Sequence, residues 1–430
     1  MLDRTDAPVL VVGAGPAGAT AARTLALAGF RVRLVDRAAF PRNKPCGGGI
    51  SARALHRFPD LARELTRIPT HTVSRLYLEG PDGDAATIES DGPAALMVRR
   101  VDFDALLVSL AIEAGSELLC GVDIVQVQET AAGVALTARD GRRLEGSVVI
   151  GADGVHSVIA RRLGLNPGWP ETAVALDMME ETPRASLCER DPSTLWVAYG
   201  FNPGRAGGRN GRAAPEGYAY MFPKRDHVNA GVGYVLRYFR DAIVQSPYDL
   251  QRALIDRLRD RGFLAGESVR QNFTPFLIPV AGPLRHLGRG RVLLAGDAGG
   301  FVNGFTAEGI YYAMVSGELA AQAIIQAAEG TSPAPAYARL VDREIGGELR
   351  DSVLIQRYLF ADRRRITAII DAIHRRPAIT HLILDYASGR CGYHELRRRI
   401  LARSPRLALR LVWERLMQAA RNAKPDVVPG

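Results

Sequence analysis

The sequence predicts an α/β protein in which a parallel sheet is interrupted by an inserted antiparallel sheet and followed by a helical region. Three observations lead there. Residues 7–37, APVLVVGAGPAGATAARTLALAGFRVRLVDR, run strand, glycine turn, helix, strand. A second strand–turn–helix unit, RVLLAGDAGGFVNGFTAEGIYYAMVSGELAAQAI, begins at Arg291. Between them, from about Asn166 to Leu284, short β-like runs alternate with glycine-rich loops.

The first unit carries the clearest chemistry. Pro8 to Val12 is an apolar run, Gly13-Ala14-Gly15-Pro16-Ala17-Gly18 is a GxGxxG turn, and Ala19 to Ala28 has helical composition. Gly13 permits the tight turn, Gly15 lets the backbone approach a pyrophosphate, and Gly18 lets the helix pack on the strand. The second strand, Arg31 to Val35, ends in Asp36. An acid there accepts hydrogen bonds from a ribose diol and repels a 2′-phosphate, so the site prefers the adenosine of FAD or NAD over that of NADP.

The segment Phe40 to Ile50, FPRNKPCGGGI, holds two prolines and three successive glycines and is read as a loop. Its place directly after the ribose-binding strand suits a loop running past an isoalloxazine ring; a plain surface turn with a packed thiol at Cys46 is the alternative. Arg75 to Glu79 and Ala94 to Val98 read as strands of a second sheet. Val101 to Gly115 reads as an amphipathic helix ending in glycine. Strands follow over Glu117 to Glu129 and Val134 to Arg139, with a hairpin at Asp140-Gly141. Strand Ser147 to Ile150 runs into GADGVHS, where Asp153 stands at a ligand-binding strand end or caps the next helix, two compatible roles.

In the middle third, Tyr218, Tyr220 and Phe222 alternate along GYAYMFP, a pattern that fits either core or an aromatic binding wall. In the second strand–turn–helix unit, Asp297 can bind a ribityl hydroxyl. The amides near Thr306 to Gly309 aim a positive helix end at a flavin pyrimidine, which stabilises the anion of the reduced flavin. The last hundred residues read as mostly helical, and Pro405 to Arg421 has one apolar arc flanked by arginines, suited to the protein's own body or to a membrane surface.

Composition bounds the rest. With 430 residues, two or three domains are expected, and 47% hydrophobic with 23% charged residues is ordinary for a soluble protein. No apolar run approaches the roughly eighteen residues of a membrane span, and the start MLDRTDAP lacks a signal pattern, so a cytoplasmic protein is expected. Cys46, Cys120, Cys188 and Cys391 are scattered without metal-ligand spacing, and no metal site or disulfide framework is expected. The net charge is +9, and from Asp385 onward ten bases face four acids. No nucleic-acid motif accompanies that tail. An anionic membrane surface or a diphosphate substrate fits it, and the protein is then peripheral at the inner face of a membrane.

GAGPAG with Asp36, GADGVHS and the GDAGG helix together resemble the glutathione-reductase-type FAD fold of the aromatic-hydroxylase superfamily over about the first 330 residues. More specifically, KPCGGGI, PEGYAYMFP and FVNGFTAEGIYYAM resemble the geranylgeranyl reductase family, flavoenzymes that saturate carbon–carbon double bonds of prenyl chains, with a KxCGG loop and a PxxYxWxFP strand. The resemblance implies a discontinuous FAD-binding Rossmann domain (1–75, 95–165 and 285–330), a substrate-binding β-sheet domain (76–94 and 166–284) and a helical C-terminal region (331–430).

It also implies site residues. Gly13, Gly15, Ala17, Gly18, Asp36 and Arg37 would hold the ADP half of FAD, and Arg100 the phosphate or ribityl region. Asp153 and Gly154 would sit at the flavin cleft, and Gly296 and Asp297 at the ribityl chain. Cys46, Gly47 and Gly48, with Gly304, Gly309 and Ile310, would line the ring, and Tyr218, Tyr220 and Phe222 the prenyl tunnel. Two departures from the family pattern stand out: its tryptophan is Tyr220 here, and NPxTGEG reads Asn303-Gly304-Phe305-Thr306-Ala307-Glu308-Gly309.

The implied reaction passes hydride from reduced flavin to one alkene carbon and a proton to the other, the proton coming from water, Tyr218 or Cys46. With no second nucleotide domain, the reductant is a transiently bound NAD(P)H or a reduced ferredoxin-type protein. The expected partner is a prenyl lipid or prenyl diphosphate, not nucleic acid, and a monomer is expected. The rival reading is an FAD monooxygenase or halogenase acting on an aromatic or polyketide ring.

Overall fold

An unbroken apolar strand must be covered on both faces, and strand Val9–Val12 is buried at all four positions. In the computed structural model of the chain, which describes residues 7–202, 213–328, 331–375 and 377–403, this strand lies inside a six-stranded sheet. The order is Gly288–Arg289, Val292–Leu294, Val148–Gly151, Val9–Val12, Val32–Asp36, Glu117–Cys120, parallel except at the first edge. Val9 stands opposite both Val148 and Val32, so the carboxyl ends of three strands come out side by side.

Helices Pro16–Leu27, Arg100–Glu113 and Ile310–Gln326 cover one face of this sheet, with Leu25, Phe103 and Leu319 buried in their shared core. Small residues set the spacing. A Cβ at Gly317 would lie 2.1 Å from the Ala17 carbonyl oxygen, so the first and last of these helices meet backbone to backbone. A three-stranded antiparallel sheet, Arg143–Gly146, Val134–Ala138 and Ile124–Glu129, covers the other face through Val127, Leu136 and their neighbours.

The middle of the chain builds a seven-stranded sheet in the order Phe273–Pro279, Val174–Pro183, His227–Val235, Gly217–Pro223, Thr194–Tyr199, Arg75–Glu79, Ala85–Glu89. It is not purely antiparallel as the sequence suggested: Thr194–Tyr199 and Arg75–Glu79 run parallel, because the second of these arrives from the other domain by a long connection. Helix Pro247–Asp260 packs Leu250, Leu254 and Leu258 against one face. The opposite face carries Met179, Val197 and Tyr220 with Tyr218 and Phe222.

A second difference concerns Ala95–Val98. It leaves the large sheet and pairs with Gly49–Ser51 and Thr70–Val73 in a separate three-stranded sheet. Gly49–Ser51 itself belongs to the stretch read as an irregular loop; only the last residues of that stretch are extended, where Met97 offers a backbone to pair with.

Beyond residue 331, Ala334–Val341 and Gly347–Phe360 are joined through a wide turn of π-helix at Asp342–Gly346. Helices Arg363–Arg375, Pro377–Ala387 and Tyr393–Arg403 follow. Among the described residues no helix is long and apolar enough to cross a membrane. The arginine-flanked stretch Pro405 to Arg421 lies outside the described residues.

Candidate functional site

The three glycines of the opening turn do three different jobs. Gly13 adopts φ +99°, and a Cβ there would lie 2.2 Å from the Ala152 carbonyl oxygen. A Cβ at Gly18 would lie 1.8 Å from the Gly13 carbonyl oxygen, so this residue seats the helix on the strand. Gly15 alone faces open space, with the Arg42 guanidinium 3.7 Å from where its Cβ would be. Asp36 is buried at the tip of its strand and accepts hydrogen bonds from the Ala14 amide at 2.8 Å and the Ala38 amide at 2.9 Å.

From this turn one cavity of about 730 Å³ runs to the aromatic face of the seven-stranded sheet. Gly13, Gly15, Ala17, Asp36 and Arg37 line its first end. Asp153, Gly154, Gly296 and Asp297 follow, then Cys46, Gly47, Gly48 and Arg100 with Gly304, Gly309 and Ile310, and finally Tyr218, Tyr220 and Phe222. Of the residues singled out from the sequence, Gly18 is the exception, standing behind the wall in its packing role.

The sheet's carboxyl end shapes the middle of the cavity. Asp153 caps helix Val158–Arg162: its carboxylate accepts from Ser157 Oγ at 2.6 Å and from the Val158 and Ile159 amides at 2.7 and 3.1 Å. Burial pushes this carboxyl up against the pull of those donors. Asp297 meets the Lys44 ammonium at 3.1 Å, and that ammonium rests 4.7 Å from the centre of the Phe276 ring. The loop ahead of helix Ile310–Gln326 is folded by Asn303, whose side-chain oxygen accepts from the Phe305 and Thr306 amides at 3.0 Å each. No side chain caps that helix at Gly309, which leaves the amides of its first turn as donors toward the cavity.

Arg100 is committed rather than open. It grips Asp104 through Nε and Nη2 at 2.6 and 2.8 Å, and its guanidinium lies beside Cys46. Arg42, bonded to Asp104 at 3.0 Å and 3.8 Å from Asp36, is the cation nearest the space over Gly15. Sequence reading missed Arg42, along with Lys44, Lys224, Asp177 and Glu308.

Lys224 is 1% exposed; its ammonium pairs with Glu181 and donates to the Cys46 carbonyl at 3.2 Å. Asp177, 6% exposed, receives the Tyr220 hydroxyl at 3.1 and 3.2 Å, and burial pushes its carboxyl up to about 6. Glu308 is likewise pushed up by burial. A usable signal for Asp177 was present: an acid in the middle of the otherwise apolar run VALDMM. The Tyr218 hydroxyl donates to the Thr306 carbonyl at 2.5 Å, tying the sheet to the loop before the helix.

Comparison with known proteins gives the chain its family. The FAD binding domain family matches residues 6–335. A menaquinone reductase of Mycolicibacterium smegmatis is 33% identical over 333 residues, covering 74% of this chain and 76% of that protein. A geranylgeranyl diphosphate reductase of Rhodobacter capsulatus is 31% identical, covering 75% and 76%. Among solved structures, a geranylgeranyl bacteriochlorophyll reductase-like protein of Thermoplasma acidophilum superposes with a TM-score of 0.73 at 20% identity, over 92% of this chain and 98% of that one. A flavin-dependent brominase superposes with a TM-score of 0.70 at 17% identity, over 93% and 99%. With the match to the FAD family and relatives above 30% identity, the chain belongs to the FAD binding domain family and is an FAD-dependent oxidoreductase of the geranylgeranyl-reductase-like group.

Proposed function

We propose that this oxidoreductase saturates carbon–carbon double bonds of a geranylgeranyl or related polyprenyl chain. The observation that carries the reading is the continuity of the cavity from the glycine turn to an apolar wall of Tyr218, Tyr220, Phe222, Phe276 and Ile278. A dinucleotide at one end then leaves room for a greasy chain at the other. The names of the reductase relatives point the same way.

The residues present fit FAD. Asp36 is a ribose acceptor, and the open side of Gly15 with Arg42 beside it suits a pyrophosphate. Gly13, Ala17, Gly18 and Arg37 complete the ADP end; Gly154, Gly296 and Asp297 would hold the ribityl chain. Cys46, Gly47 and Gly48 would face the ring from one side, and Gly304, Gly309 and Ile310 from the other. Arg100 would act through Asp104 and Cys46, holding that loop. When bound in its reduced form, FAD supplies the hydride.

The chain's own part is to align the alkene along the aromatic wall, exclude water, and deliver a proton to the second carbon. NAD(P)H or a reduced ferredoxin-type protein supplies the electrons. The basic tail beyond Asp385 provides peripheral contact with a membrane that holds the prenyl lipid, and the working unit is a monomer.

The test is anoxic. The purified flavoprotein is photoreduced and mixed with geranylgeranyl substrates; flavin reoxidation is followed by absorbance and the product weighed. Reoxidation with a product heavier by two hydrogens per step supports the reading. Flavin that stays reduced until oxygen enters refutes it and brings forward a monooxygenase or halogenase, whose folds are shared by the solved brominase.

A further inference from the structure

Period two along the seven-stranded sheet decides which side chains face the cavity. Asp177 has Gly233 as its register partner on one side and Phe276 on the other. Gly233 in turn stands opposite Tyr218, and Gly231 opposite Tyr220. The two glycines form a floor without side chains. A Cβ at Gly231 would lie 2.7 Å from Tyr220 Oη, and one at Gly233 would lie 3.7 Å from Asp177 Oδ1. The Tyr220 side chain therefore crosses strand His227–Val235 and places its hydroxyl on the Asp177 carboxylate.

The environment of this acid differs from that of its neighbours. Glu181, on the same strand, is held by Lys224 and Arg99, and Glu180 by Ser268 and Thr182. Asp177 makes no ion pair among the described residues. The ionisable groups facing it are Tyr220 and Tyr218 from the next strand but one, behind which lies Cys46 of the loop, and Lys44, which lies on the ring of Phe276 and is paired with Asp297. A carboxyl buried in an apolar wall without a cation keeps its proton to higher pH than one in water.

We propose that Asp177 is the acid of the alkene reduction, with the Tyr220 hydroxyl as its positioning partner. This rests on the prenyl-reductase reading above. The hydride from the cofactor accounts for one new C–H bond. For the other, the Asp177 O–H bond breaks as a C–H bond forms at the remaining alkene carbon, and the carboxylate left behind receives the Tyr220 O–H bond until solvent returns its proton. A hydroxyl serves both states: it donates to the carboxylate and accepts from the carboxylic acid. The hydroxyl at Tyr220 and the acid at Asp177 thus form one unit.

The experiment uses photoreduced holoenzyme in single turnover with geranylgeranyl diphosphate across a pH series. Wild type is expected to slow as pH rises through the range above about 6. Asp177→Asn is expected to lose about 10²- to 10⁴-fold in the reoxidation step and to lose the pH limb, with flavin content and photoreduction as in wild type. Tyr220→Phe removes the donor that favours the ionised form, so its limb moves to higher pH. Asp177→Glu keeps the acid and retains the limb at a lower rate. Infrared difference spectra of substrate-free protein are expected to show a carboxyl band titrating in this range that is missing from Asp177→Asn. Prenyl reduction by Asp177→Asn at the wild-type rate and pH profile overturns the proposal alone. A wild-type enzyme that leaves every prenyl alkene intact overturns the function reading and the proposal with it.

Discussion

Replacing Lys224 by methionine removes the charged group that ties the large sheet to the Cys46 loop. The ammonium is 1% exposed, pairs with Glu181 and donates to the Cys46 carbonyl at 3.2 Å. Taking one partner from a buried pair costs about 3–5 kcal/mol, because the other charge is stranded. Here Glu181 keeps Arg99 at 2.8 Å, a residue with a third of its side chain exposed, so the lower end applies, at about 3 kcal/mol with the orphaned carbonyl included. For 430 residues unfolding together, with an unfolding entropy of roughly 2.1 cal/mol/K per residue, that corresponds to a fall of roughly 3 °C in melting temperature.

Melting followed by circular dichroism and by flavin fluorescence reports the fold and the loop separately. The double variant Lys224→Met/Glu181→Gln should recover at least half of the loss, since the stranded charge is gone. The sign with pH also follows. Burial opposes ionisation of Glu181, yet Lys224 and Arg99 hold its carboxyl below the usual value. Its contribution is therefore present above about pH 4.3, the ordinary value, and lost as pH falls through the lower folded one. The gap between wild type and variant is greatest at neutral pH and closes in acid. A Lys224→Met protein that melts with wild type at pH 7, or a double variant less stable than the single one, would refute the reasoning.

Three further outcomes follow from the same coordinates. Gly18→Ala drives a Cβ into the Gly13 carbonyl oxygen, displacing the helix from the strand; the purified variant should carry little flavin, read as the absorbance ratio of cofactor to protein. Asp177→Asn should change stability with the opposite pH sign to Glu181. A folded carboxyl raised to about 6 contributes stability that is full below the ordinary value and lost as pH rises through 6. The amide should therefore gain up to about 3 kcal/mol over wild type at pH 8, and no such gain near pH 4, by denaturant titration. Arg53→Leu strands Glu348, which Arg53 holds through two bonds at 2.9 and 3.1 Å between the rings of Tyr311 and Tyr386. A loss of about 3 kcal/mol and faster proteolysis within 363–403 are expected.

The nucleotide end of the molecule was legible because its information is local. Strand, glycines, helix and Asp36 lie within 31 consecutive residues, and each glycine's job follows from what its missing Cβ would strike. The strand and long helix of the second unit were legible for the same reason, at Val292–Leu294 and Ile310–Gln326. What the sequence left silent is long-range. Lys44 meets Asp297 across 253 positions, and Lys224 meets Cys46 across 178; no periodicity carries such pairings. Ala95–Val98 illustrates the limit for strands: four apolar residues state that they will be covered, not which sheet will cover them. Asp177 lies between these cases. Its oddity within an apolar strand was visible, but its partner Tyr220 is set by the register of two strands across a third.

The way the two halves meet explains why a cavity survives between them. Each half has its own apolar core, one around Phe103 and Leu319 beneath the nucleotide sheet, the other around Trp196 and Leu254 behind the large sheet. Were the facing surfaces joined throughout by the same apolar packing, they would close to the density of an interior and leave no room for a ligand. They pack apolar side by apolar side at one place, where Tyr199 of the large sheet stacks on Phe305 with ring centres 5.5 Å apart, and along the cavity they are held by polar links: Tyr218 to the Thr306 carbonyl, Lys224 to the Cys46 carbonyl, and the Lys44 ammonium against Phe276. Such links fix a separation without filling it. The uncharged wall between them, Tyr220, Phe222 and Ile278, stays available to an apolar chain. A bound alkene would then complete the core that the protein leaves open, and its arrival would expel the water that otherwise competes for the Asp177 proton.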